Sequence, residues 1–407
     1  IAQGYEQFSA SAAYDMEWGT LSYAFGRNDL DNQVVGAIPG LGQLDANIGI
    51  SVSTHELLLN AVQGAWAYTA GLYWRDADRN DGVQLLGGPL PLDVASNYRS
   101  KSNAIFAEAE YSFAERWRLA VGLRRYQEDL DVAEVGFGFT GPIDVAYGDS
   151  FDSINPRVVL SFEPTPERLV YGSLSKGFRG GQAQPAAAVQ LAGLSGLDLP
   201  ETLDADSIWS YELGAKASLL DGRLFVEGAV YYSDWSDPAV RFDLAGTGLN
   251  GLIGAEGVET KGIEFSGLYR LSSAWTLRGG FSYLDPEFKS AIVGTPIAAG
   301  DRPEQTSKVS WNAALIYNAP AFGEFNLFSR LGAQFFSKRE NTSFASNLPG
   351  DDVNLLDARV GLRSSRLGLF AFINNLSNTF DALEARAANG AARARPRTLG
   401  VELAVYF

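Results

Sequence analysis

The sequence predicts an all-β fold: a transmembrane antiparallel β-barrel of about 17 strands, with short turns on one side and long loops on the other. Three observations predict it. Runs of strict apolar/polar alternation recur along the whole chain, the connections between them alternate short and long, and the last run ends the polypeptide on an aromatic residue. Strand side chains point alternately to two faces, so a period of two gives one apolar and one polar face. A wall between lipid and a wet interior needs that pair of faces.

The first candidate strand runs from Tyr5 to Tyr14 and leads to a turn near Glu17. Further on, Ile105, Ala107, Ala109, Tyr111 and Phe113 alternate with Phe106, Glu108, Glu110 and Ser112. Ala114-Glu115-Arg116 then turns the chain into Trp117, Leu119, Val121 and Leu123, which alternate with Arg118, Ala120, Gly122 and Arg124. Trp209, Tyr211, Leu213, Ala215, Ala217 and Leu219 alternate with Ser210, Glu212, Gly214 and Lys216 before a turn at Asp221-Gly222. Ser272 to Ala274 turn into Trp275, Leu277, Phe281 and Tyr283 against Thr276, Arg278 and Ser282. The final strand sets Leu399, Val401, Leu403, Val405 and Phe407 on one face and Thr398, Gly400 and Glu402 on the other.

Short turns are expected near residues 17, 63, 115, 166, 221, 273, 321 and 365. That is a hairpin period of roughly 50 residues, with no recurring motif of a solenoid or propeller. Longer Gly- and Asp-rich connections are expected over 28–48, 76–100, 127–149, 180–206, 236–256, 286–305, 337–351 and 377–396. Short turns below and long loops above are the asymmetry of an outer-membrane barrel, and a soluble sandwich has no reason to keep it. Aromatics follow the same plan: Trp18, Trp66, Tyr111, Phe113, Trp117, Trp275 and Phe322 lie near the short turns, and Trp235, Tyr283 and Phe335 nearer the long loops. Rings with one polar edge prefer the headgroup level, so two bands are expected.

Composition narrows the function. The chain of 407 residues has no cysteine and one histidine, His55, which removes thiol chemistry and leaves little for imidazole chemistry. A net charge of −16 without any Lys/Arg block argues against a nucleic-acid partner. No window of 18 apolar residues exists for a helical span, and barrel strands need only about 9 to 11 alternating residues. The chain begins at Ile1 with no basic-then-apolar leader, so it is read as processed or as a fragment. An odd strand count, with a first strand running toward a short turn, predicts the C-terminal part of a larger barrel. On that reading the Leu399 to Phe407 strand is an open edge, or is forced to pair with the strand near Tyr5.

Tyr171-Gly172-Ser173-Leu174-Ser175-Lys176-Gly177-Phe178-Arg179-Gly180-Gly181 resembles the strand-to-loop segment of TonB-dependent outer-membrane receptors. So do Ile154-Asn155-Pro156-Arg157, Ser210-Tyr211-Glu212-Leu213-Gly214 and Val258-Glu259-Thr260-Lys261-Gly262-Ile263-Glu264-Phe265. Asn374-Asn375-Leu376-Ser377-Asn378-Thr379-Phe380 and the ending from Arg395-Pro396-Arg397-Thr398 complete a set that spans most of the chain in the family's order. The resemblance implies a barrel of about 22 strands in the outer membrane of a Gram-negative bacterium, filled by an N-terminal plug. It also implies a TonB-contacting segment ahead of the plug. Residues 1–407 are then the C-terminal barrel portion, with plug, TonB box and about five strands expected to be missing from its N-terminal side. Implied partners are outer-membrane lipid, the TonB complex through that missing region, and a small-molecule nutrient such as a ferric siderophore.

No enzymatic constellation is found, and no cofactor is expected. Glu108 and Glu110, opposite Arg118 and Arg124, read as a paired network and not as an acid–base pair. His55 has no second metal-binding neighbour in sequence. Gly177 to Gly181 lacks the Gly-Lys-Ser/Thr ending and following helix of a phosphate loop, so its glycines are read as letting a strand bend into a loop. Alternation turns Glu212, Lys216, Glu227, Glu264, Arg270, Arg278, Asp357, Arg359, Arg363 and Glu402 inward, where water makes charge inexpensive. Ligand contacts are implied in the upper loops, with Arg179, Asp204, Asp206, Trp235, Arg241 and Asp243 as candidates. Acidic loop clusters are read as solvated charge and not as Ca2+ sites. The function expected is TonB-energised uptake, with a passive porin-like channel as the alternative and a surface enzyme based on His55 as a more distant one.

Overall fold

The computed structural model describes residues 2–38, 42–88, 92–194, 196–244, 250–340, 347–386 and 392–406. Seventeen strands form one sheet. In chain order they are β1 (Ala2–Met16), β2 (Gly19–Ile38), β3 (Gly42–Gln63), β4 (Trp66–Leu86), β5 (Leu92–Phe113), β6 (Trp117–Phe137), β7 (Pro142–Thr165) and β8 (Arg168–Arg179). After a loop carrying helix α1 (Ala186–Leu194) come β9 (Asp206–Leu219), β10 (Leu224–Ser236), β11 (Gly257–Arg270), β12 (Trp275–Phe288) and β13 (Val309–Phe322). β14 (Phe325–Phe336), β15 (Val353–Arg363), β16 (Leu367–Asn374) and β17 (Thr398–Val405) complete the sheet. The strand number matches the sequence reading, and all eight short turns fall where expected. At the third of them Ala114 and Glu115 both take φ 51°, the left-handed conformation that a tight hairpin needs to match strand twist.

Three of the eight expected loops are in fact strand. β2 to β7 run 20 to 24 residues each, or about 70 Å at strand rise, against an apolar band of about 25 Å. Most of 28–48, 76–100 and 127–149 is therefore ladder: Asp29 pairs with Ser51, Asp78 with Arg99 and Lys101 with Asp129. Beyond the band the outer face meets water and carries polar residues such as Asp93, Asn97 and Lys101, while the inner face is covered in part by loops from elsewhere in the chain; without a lipid-facing apolar stripe these segments read as loop. The backbone hydrogen bonds persist because they do not depend on side-chain polarity.

The chain divides into two compact units. The first comprises residues 1–160, 174–209 and 235–256. Its outer face carries Ile105, Val121, Leu123 and Ile154, each at least half exposed. Near the short turns, Trp66 stacks on Tyr111 at 4.4 Å and Phe113 lies against Trp117 at 6.3 Å. Higher on the same face Phe8, Phe25 and His55 form a second cluster, with ring centroids 6.1 and 5.0 Å apart along the row. His55 shares a 2.7 Å hydrogen bond with the Tyr23 hydroxyl and is a side chain of this aromatic band.

The second unit comprises residues 161–173, 210–234 and 257–407. On β17 Leu399, Val401, Leu403 and Val405 are 73, 75, 66 and 54% exposed, which is the predicted lipid face; Phe407 lies outside the described residues. On its opposite face Glu402 accepts two hydrogen bonds from Arg359, at 2.7 and 3.0 Å, and the Arg359 guanidinium lies 4.1 Å from the Phe370 ring. Glycines here serve packing. A Cβ on Gly262 would stand 2.1 Å from Cζ of Tyr231, so the absent side chain lets that ring lie flat on the neighbouring strand.

Candidate functional site

In the first unit a loop assembly covers the polar face of the sheet. It consists of residues 180–206 with α1 and of the hairpin that pairs Ala239–Asp243 with Asn250–Gly254. Ala188, Leu191 and Ala192 share one side of α1, at the i, i+3, i+4 spacing that a helix brings onto one face. They join Leu85, Leu92, Val94, Ile143, Phe242 and Leu244 in a buried cluster. Burying this apolar set holds the loops on the strands.

Two buried polar groups fix the register of that contact. Glu134, 2% exposed, accepts the Ala186 backbone N–H at 2.8 Å and the Tyr98 hydroxyl at 2.7 Å. Its carboxylate therefore meets the positive end of α1 and satisfies one of its free N–H groups. Tyr98 lies beyond the apolar band of its strand, and burial, followed by the hydrogen bond to Glu134, pushes its phenol well above the usual range, so it remains a donor. Gln184, 1% exposed, donates to the Leu252 carbonyl at 2.8 Å and accepts the Leu252 N–H at 2.7 Å. One side chain thus completes a strand-like pair between the two loops.

Of the six predicted contact residues, the structure brings three together. Arg179 ends β8 and donates from Nε to Oδ2 of Asp206 at 2.8 Å and from Nη2 to the Ala239 carbonyl at 3.3 Å. Its guanidinium carbon lies 5.2 Å from the centroid of the Trp235 ring. Asp206 is 4% exposed whereas the Arg179 side chain is 45% exposed, so the carboxylate is an internal anchor and the cation keeps an open side. Asp204 is exposed two residues before the anchor, and Arg241 is exposed on the hairpin opposite Leu252. The backbone of Asp243 pairs with Asn250, and its side chain lies outside the described residues.

The glycines after Arg179 do more than permit a bend. A Cβ on Gly180 would stand 2.1 Å from Oε2 of Glu128, and one on Gly181 would stand 2.1 Å from the Phe151 ring. The loop therefore presses its backbone onto a polar lattice: Ser100 donates to Glu128 at 2.5 Å, Arg75 donates to Ser100 at 3.0 Å, and Tyr126 donates to Glu128 at 3.2 Å. Nearer the short turns, the expected Glu108/Glu110 network forms with a changed partner. Arg157 takes Glu108 at 2.6 Å and Arg118 lies 3.8 Å from Glu110. Arg124 is left to aromatic neighbours: its guanidinium carbon is 5.4 Å from the centroids of Tyr73 and Phe106 and 6.0 Å from that of Tyr126.

In the second unit the inward charges converge as expected. Glu212, Lys216, Glu227 and Glu264 line one cleft of about 380 Å³ with Ser266 and Asn312. Lys216 is 3.3 Å from Glu227, and Tyr171 donates to Glu212 at 2.5 Å. Among the described residues no group of three His, Cys, Asp or Glu side chains gathers that could hold a metal ion. Gln184, Glu134 and the rings around Arg124 escaped the sequence reading. Glu134 and Gln184 are ordinary residues in sequence that become distinctive only through hydrogen-bond partners 36 to 68 positions away, and the rings meet Arg124 from three different strands.

The family profile described as "TonB dependent receptor-like, beta-barrel" matches residues 2–376. The metal-pseudopaline receptor CntO of Pseudomonas aeruginosa is 24% identical over 201 residues, which are 49% of this chain and 26% of that protein. Among solved structures, the ferric yersiniabactin uptake receptor FyuA of Yersinia pestis superposes with a TM-score of 0.84 at 15% identity, over 100% of this chain and 61% of that one. The siderophore receptor PiuA of Acinetobacter baumannii follows with a TM-score of 0.75 at 16% identity, over 98 and 64%. The chain thus spans about a quarter of the curated relative and about three fifths of the solved structures.

Proposed function

From the premise that the chain belongs to the TonB-dependent receptor β-barrel family of the Gram-negative outer membrane, we propose that it serves TonB-energised uptake of a ferric siderophore. The observation that carries this reading is the loop assembly anchored on β4 to β7, which offers the open side of Arg179 next to Trp235. A cation beside an aromatic face suits a ligand that is both anionic and flat. Relatives named for a metal–pseudopaline complex, a ferric siderophore and siderophores in general support the substrate class. Arg179, Trp235 and Arg241 are assigned to ligand contact, Asp204 to the rim, and Asp206 to positioning Arg179. Asp243 completes the hairpin edge of the set.

Radiolabelled iron uptake in cells expressing the full-length protein tests this. The expected result is uptake of a ferric siderophore that stops when TonB is deleted. Uptake that continues unchanged without TonB would replace this reading with the passive channel, and no gain over cells lacking the protein would end it.

A further inference from the structure

The polar face of β4 to β7 holds a row of arginines, and one of them has no acid. Arg75 is 3.9 Å from Glu128, Arg79 is 2.6 Å from Asp81, Arg118 is 3.8 Å from Glu110, and Arg157 is 2.6 Å from Glu108. Among the described residues Arg124 has neither an ion-pair partner nor a side-chain hydrogen bond. Its surroundings are rings. Phe106 is its cross-strand partner, and the next row sets Tyr73 opposite Ala104 and Ala104 opposite Tyr126. Ala104 is too small to fill that row, so Arg124 is flanked by Tyr73 and Tyr126 as well as Phe106. Phe178 closes the side of the cage, 4.5 Å from Tyr126. Gly71 completes it, since a Cβ there would stand 2.3 Å from the Phe106 ring.

Three π faces stabilise a guanidinium but accept none of its five N–H groups in the way an oxygen does. They also strip water from it, which strengthens any hydrogen bond it makes to an anion. We propose that Arg124 with Tyr73, Phe106 and Tyr126 forms a binding site for an oxygen anion carried on a planar aromatic ring, the chemistry of a benzoate. The anion takes the free N–H edge of the guanidinium, and the ring of the ligand lies among the four protein rings. The site rests on the uptake reading and extends it by naming a chemical class of ligand.

Calorimetric titration of the purified full-length protein with benzoate, benzamide and cyclohexanecarboxylate tests the site. Benzoate should bind most tightly. Benzamide should be weaker by about tenfold or more, the worth of a charge-assisted hydrogen bond. Cyclohexanecarboxylate should be weaker by about threefold or more for lack of stacking. Arg124→Ala should lower benzoate affinity by about tenfold or more. Arg124→Lys, which keeps the charge, the fold and the cage but loses the planar fork, should lower it partway. Unchanged benzoate affinity in Arg124→Lys and Arg124→Ala, or absence of benzoate binding to the wild type, overturns the proposal. Iron uptake that persists alongside that result leaves the uptake reading intact, so the two fail separately.

Discussion

Replacing Gln184 by Leu would test whether one amide holds the loop assembly together. The substitution keeps nearly the same volume in a site that is 1% exposed, so packing changes little. It removes the bonds of 2.8 and 2.7 Å to the Leu252 carbonyl and N–H, and leaves the backbone bond from the Gln184 N–H to the Glu201 carbonyl in place. Each lost bond is worth about 1 kcal/mol, and more where the abandoned backbone group cannot reach water. A total of about 2 kcal/mol corresponds to roughly 30-fold faster local opening of the hairpin that carries Arg241. Hydrogen exchange read by mass spectrometry should show that loss at Leu252 and its neighbours. The strand ladder of β4 to β7 should keep its protection, because its own hydrogen bonds are untouched. Protection at Leu252 within threefold of the wild type would refute the idea that the Gln184 amide ties the two loops.

Arg179→Ala should leave Asp206 buried without its cation. With the Arg179 side chain about half exposed the cost is moderated by solvent, about 1–2 kcal/mol, and should appear as increased protease cleavage within 180–206. Gly262→Val forces the Tyr231 ring off the strand and should cost about 1–3 kcal/mol, seen as a lower unfolding temperature of the folded species on heated gels. Gly36→Ala, where a Cβ would meet nothing within 4 Å, should leave that temperature unchanged. Val401→Arg places a charge on the face that meets lipid and should cost up to about 2–4 kcal/mol. Glu402→Gln, on the other face of the same strand, should spare membrane insertion; equal insertion yields for the two variants would contradict the assignment of faces.

Much of the site was legible in part. Arg179, Asp206 and Trp235 were legible as a group because a strand-to-loop boundary brings cation, acid and ring into the same layer. The sequence did not say that Asp206 would be buried and spent on Arg179, nor that Gly180 and Gly181 are small because Glu128 and Phe151 press on them. The pairing of Arg124 with Glu108 or Glu110 was the natural expectation from adjacent strands. It failed because Arg157, on a third strand, reaches Glu108 first.

The sequence by itself determined the strand number, the eight tight turns and the two faces. These follow from period-two patterning and local turn conformation, which neighbouring residues set. Only the tertiary structure decided that β2 to β7 continue as strands far past the apolar band, since there the outer face meets water instead of lipid and the inner face is covered by loops distant in the chain, so no apolar outer stripe marks the ladder in the sequence. It alone also decided which charges pair and which is left among rings. Those outcomes depend on contacts between strands and loops distant in the chain, where several partners of the right sign compete and geometry selects one.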